Sequence, residues 1–101
     1  MGSEEHRRSK RVVYYAEASI EDLGGGQARI SDLSTSGAFV DTRSTFPPGT
    51  VMKVTFRVRD REIQVTVVVR YAIPDIGMGV HFMNLSPEDQ AIIEEVIKAQ
   101  G

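Results

Sequence analysis

Two short patterns in this chain gather side chains that could hold an anion. Arg7, Arg8, Ser9, Lys10 and Arg11 put a cation at four of five positions, with Arg7 and Arg11 in an RxxxR spacing. Asp32, Leu33, Ser34, Thr35, Ser36 and Gly37 spell DxSxxG. A guanidinium is a planar, permanently charged fork that pairs in a bidentate way with phosphate oxygens or with the acceptor edge of a base. In extended or irregular backbone a four-residue separation spans up to roughly 13 Å, so Arg7 and Arg11 can reach different groups of one ligand. Asp32 is an acceptor when ionised, and Ser34 can bond either a ligand or its own loop. Gly37, lacking a Cβ, can take a positive φ and let a planar group approach the loop, which a larger residue would obstruct. With nine arginines in 101 residues, RxxxR arises about 0.8 times by chance, whereas DxSxxG arises roughly 0.04 times. The second pattern therefore carries the weight.

Other chemistries find little support. At 101 residues the chain has room for one domain. It has no cysteine, which removes disulfides, thiol nucleophiles and Cys-ligated zinc. His6 and His81 are the only histidines; there is no HExxH, no Walker loop and no GxGxxG opening a helix, and His81 reads as an outward-facing strand residue. The chain is expected not to be an enzyme. The formal net charge of −2 argues against nucleic-acid binding through the overall field. Charge is nevertheless uneven, basic from Arg7 to Arg11 and acidic around Glu88, Asp89, Glu94 and Glu95. No stretch approaches the roughly 20 apolar residues of a membrane span, and no leader is evident, so a cytoplasmic protein is expected.

The elements that must position these residues are mostly strands. From Val12 to Ile20 the even positions read Val12, Tyr14, Ala16, Ala18 and Ile20, and the odd ones become polar at Glu17 and Ser19, as in a strand with one buried face. Gly24 to Gly26 predict a reversal into a short second strand ending near Asp32, and Ala38 to Asp41 resumes extended structure. Met52, Val54, Phe56 and Val58 form one apolar row, and Ile63, Val65, Val67, Val69 and Tyr71 another, with a tight turn at Asp60 and Arg61 between them. Gly77 and Gly79 open a last strand in which a bulge or a close backbone approach is expected. Ser86, Pro87, Glu88 and Asp89 read as a helix start, followed by the stripe Ile92, Ile93, Val96 and Ile97. Six short strands and a terminal helix predict an all-β fold, a small six-stranded antiparallel β-barrel with a C-terminal α-helix.

Arginines directly before the first strand, followed by DxSxxG between the second and third, form an order that resembles the PilZ domain family. Gly37, Ala38, Phe39 and Val40 fit the family's continuation after that loop, and Gly79, Val80, His81 and Phe82 look like its GVxF segment. The resemblance runs from Arg7 to the C-terminal helix. It implies a receptor that binds the bacterial second messenger cyclic di-GMP without turnover, with no cofactor beyond that ligand, and that signals to a downstream protein. On this resemblance Arg7 and Arg11 are the clamps, Arg8 adds a phosphate contact or only charge, and Asp32, Ser34 and Gly37 complete the site. Asp32 would take guanine N–H donors while the guanidinium forks take phosphates or guanine O6 and N7. Residues 1–11 would form a flexible arm that closes over the ligand, and residues 12–101 the barrel with its helix.

Other readings stand beside this one. Arg7 to Arg11 taken alone is a solvated basic tail, and Asp32 to Gly37 taken alone is a connection whose side chains bond the local backbone. A PilZ-like adaptor would act through protein contact without nucleotide. A small barrel could instead bind single-stranded nucleic acid through the basic arm, but most of its aromatics fall on predicted inward faces.

Overall fold

The computed structural model describes residues 10–21 and 28–100. Strands β1 (Val12–Ile20), β2 (Ala28–Leu33), β3 (Gly37–Asp41), β4 (Val51–Val58), β5 (Arg61–Ile73) and β6 (Gly77–Phe82) precede the helix α1 (Pro87–Gln100). The strands close into an antiparallel barrel in the order β1-β2-β3-β6-β5-β4. This is the architecture that the alternation of apolar and polar residues predicts. Gly24 to Gly26 lie outside the described residues, but β1 and β2 pair antiparallel, so the chain does reverse between them.

Period-two patterning explains which side chains fill the barrel. In β4 Met52, Val54, Phe56 and Val58 are buried, and in β5 Ile63, Val65, Val67 and Val69 are buried. Eight unbroken pairs from Val51↔Val68 to Val58↔Arg61 hold these two strands in register. The turn falls on Arg59 and Asp60, one residue earlier than expected, because Arg61 already pairs with Val58. Arg59 takes a φ of 56° and its N–H donates to the Tyr14 hydroxyl at 3.1 Å. Phe56 stacks on Phe82 across the core, with ring centroids 6.2 Å apart.

A second departure from the predicted pattern matters for function. Val69 pairs with Val80 and Tyr71 with Gly79, so β5 carries one extra residue, Arg70, between adjacent pairs. This bulge breaks the alternation. Tyr71, expected in the buried row, is turned outward and is 49% exposed.

The helix begins as its sequence predicts, with the Ser86 hydroxyl accepting the Asp89 N–H at 3.1 Å. Ile93 and Val96 are buried against the barrel, with Ile92 and Ile97 packed beside them. Two ion pairs fasten the helix to the β4–β5 hairpin, Arg61–Asp89 at 2.6 Å and Arg59–Glu95 at 3.2 Å. Asp89 is nearly enclosed, but its partner Arg61 keeps 47% of its side chain in solvent. Asp89→Ala therefore leaves a cation that water can satisfy, and the expected loss is about 1–2 kcal/mol rather than the larger cost of breaking a fully buried pair. Urea unfolding of the two proteins measures it. Among the described residues no helix is long and apolar enough to cross a membrane.

Candidate functional site

The site is built on the outer wall of the barrel where β1, β2, β3, β6 and β5 run side by side. Arg11 stands just ahead of β1, two residues before Val13, whose partner on β2 is Asp32. Residues two apart on an extended chain share a face, so Arg11 reaches along the outer wall toward Asp32. Its Nη1 donates to Asp32 Oδ1 at 2.6 Å. The same oxygen accepts the Phe39 N–H of β3 at 3.1 Å. The carboxylate is thus aimed by the neighbouring strand as well as by the arginine. Both partners are partly solvated, at 47% and 33% side-chain exposure.

Ser34 is the first residue after β2, in the loop that leads to β3. It is fully buried. Its Oγ accepts the N–H groups of Ser36 at 3.2 Å and Gly37 at 3.1 Å, and it lies 3.2 Å from the Gly37 carbonyl oxygen. That carbonyl also accepts the Ser34 N–H at 2.9 Å. Of the two bonding roles open to Ser34, the structure displays the one that shapes the loop.

Gly37 does not use the conformational freedom that its type allows. It does not take a positive φ; among the described glycines Gly49 alone does. The reason for glycine here is contact with β6. A Cβ at Gly37 would lie 2.2 Å from the Val80 carbonyl oxygen, a fixed backbone atom. The strand pairing Gly37↔His81 and Ala38↔Val80 requires that closeness.

Arg11, Ser36 and Gly37 form one side of a cleft of about 230 Å³, and Arg70, Tyr71, Gly79 and His81 form the other. Spacing in the sequence did not single out Arg70 and Tyr71, because the bulge places both of them. The available signal was Gly79: its missing side chain leaves room for the Tyr71 ring, which would sit 2.2 Å from a Cβ there. Phe39 backs the same ring, 6.2 Å away between centroids. The cleft therefore offers an apolar ring, two guanidinium groups and the open edge of a loop, with no carboxylate lining it. Arg70 makes no ion pair among the described residues. A wider cleft of about 540 Å³ opens at the other end of β3, but Asp41 and Asp75 face Arg29 and Arg43 there, so it gathers no excess of positive charge. Arg7 and Arg8 lie outside the described residues.

A family model for the PilZ domain matches residues 5–99. Among solved structures, the inhibitor of motility MotI/DgrA of Bacillus subtilis superposes with a TM-score of 0.82 at 19% identity over 93% of this chain. The alignment takes in 51% of that protein, so the present chain spans about half its length. An uncharacterized Legionella protein, Lpg0364, superposes with a TM-score of 0.62 at 20% identity, over 89% of this chain and 91% of its own. At these identities the likeness is one of fold. No curated protein matches the chain.

Proposed function

This chain belongs to the PilZ domain family, and from that premise we propose that it is a receptor for cyclic di-GMP which reports occupancy to a downstream protein. The observation that carries the reading is the meeting of Arg11 and Asp32, 21 residues apart in sequence, at 2.6 Å on the outer wall beside the DxSxxG loop. A guanine presents N–H donors on one edge and O6 and N7 acceptors on the other. A carboxylate and a guanidinium side by side complement these two kinds of edge.

The site works by exchange of partners. The Arg11–Asp32 pair is solvated on both sides, so it is worth only about 0.2–1 kcal/mol, and a ligand displaces it at small cost. Asp32 stays aimed by the Phe39 N–H while Arg11 turns to a base or a phosphate. Arg70 supplies a further cation for the phosphodiesters, and Tyr71 gives a base an apolar face to lie on. Ser34 acts one step back, holding the loop that carries Ser36 and Gly37. The cleft is smaller than the roughly 300–1,000 Å³ of an enclosed small-molecule site, so the wall seats part of the ligand. The arm of residues 1–11, with Arg7 and Arg8, closes over the rest, each charge-assisted hydrogen bond contributing roughly 1.5–3 kcal/mol against the entropy of ordering it. Such an arm, moved by ligand, is the element a partner would read.

Calorimetric titration of the full chain with cyclic di-GMP tests the proposal, with saturable binding expected and the stoichiometry read directly. Absence of binding at tens of micromolar protein would defeat it and leave the adaptor reading in its place. Tyr71→Ala is expected to weaken binding about five- to tenfold through loss of the stacking face, with little change in the unfolding midpoint because the ring is half exposed on the outer wall.

A further inference from the structure

His81 is on the outer face of β6, opposite Gly37 of β3 and Val68 of β5. It is half-buried and borders the cleft. Gly37, its partner position on β3, lines the same cleft. The charged and titratable groups lining the cleft are Arg11 from the segment ahead of β1, and Arg70 and Tyr71 from β5; the carboxylate next to them is Asp32 of β2, which does not line the cleft itself but holds Arg11 at 2.6 Å. Histidine gains its charge within about pH 5–8, where phosphodiesters remain anionic and guanidinium groups cationic.

We infer that His81 is a third, proton-dependent cation of the ligand site, so that an anionic ligand seated in the cleft between Arg11 and Arg70 is held more tightly when the imidazole is charged. This rests on the reading of the cleft as the cyclic di-GMP site. The ligand's negative charge favours the imidazolium, so binding takes up a proton. Affinity then rises as pH falls from about 8 to about 5.5. One added charge-assisted hydrogen bond, at the low end of its usual strength, corresponds to about a tenfold change in Kd over that interval.

The test is calorimetric titration of the full chain with cyclic di-GMP at several pH values in that range, with wild type, His81→Gln and His6→Gln. The wild type and His6→Gln are expected to tighten by that factor at the acid end, and His81→Gln to show a flatter profile. Titrations of the wild type near neutral pH in two buffers of different ionisation enthalpy should also show net proton uptake, which keeps the test open if His81→Gln fails to fold. Equal affinity at both ends in the wild type, an unchanged slope in His81→Gln, or loss of the slope in His6→Gln would overturn the assignment to His81. Absence of binding at every pH would instead defeat the reading of the cleft itself.

Discussion

Replacing Arg11 by alanine is expected to weaken cyclic di-GMP binding ten- to a hundredfold while the protein stays folded. The side chain contributes nothing to the core: it lies on the outer wall with 47% exposure, and its ion-pair partner among the described residues is Asp32, itself 33% exposed. Its removal leaves Asp32 still bonded to the Phe39 N–H, so no buried charge is orphaned and the unfolding midpoint should move by little. The ligand, by contrast, loses a guanidinium that nothing else at that position supplies. One charge-assisted contact of about 1.5–3 kcal/mol corresponds to the stated loss of affinity. Arg11→Lys should recover only part of it, since an ammonium keeps the charge but lacks the fork. Calorimetry on the three proteins, with a thermal melt of each, separates binding from folding. An unchanged Kd in Arg11→Ala would remove Arg11 from the site.

The second large effect concerns stability. In Gly37→Ala the new methyl would sit 2.2 Å from the Val80 carbonyl oxygen, and the atoms around it are backbone of β6. A side chain could swing away from such a contact, but a paired strand cannot. β3 and β6 must separate locally, and the Ser34 hydroxyl, which is bonded to Gly37, loses its geometry as well. The expected cost is about 2–3 kcal/mol, or roughly 10–20 °C in Tm for a domain of this size. Binding should weaken too, because the loop edge at Ser36 and Gly37 forms one side of the cleft. Gly49→Ala is a useful comparison. Its φ of 94° makes alanine strained, yet nothing lies within 4 Å of the added atom, so a smaller loss, about 1 kcal/mol, is expected there. A melt of Gly37→Ala within a degree or two of wild type would show that β3 and β6 are less tightly apposed than described.

The barrel itself was legible because strand formation and facing are local properties. Alternation in β1, β4 and most of β5 predicts the inward rows, and each predicted residue up to Val69 is buried or packed on the core. Ser86 and Pro87 likewise mark the helix start without reference to the rest of the fold. The pattern failed at Tyr71, where one inserted residue inverts the face of everything after it. A two-residue period cannot register an insertion unless the partner strand is known, and here the partner is Gly79 of β6. For Gly37 the residue type was informative and the inferred cause was not: glycine was required by a neighbouring carbonyl rather than by its own φ.

Arg11, Asp32, Ser34 and Gly37 could be picked out from the sequence because spacing along one chain segment is visible there, and the resemblance gave their arrangement a meaning. Only the closed barrel decided that Arg11 lies against Asp32, that Ser34 turns inward to hold its loop, and that Arg70, Tyr71 and His81 face the same cleft. Those three residues reach the site across strand pairings whose register is set by packing of the interior. Contacts between segments dozens of residues apart depend on that packing, which no local stretch of sequence encodes.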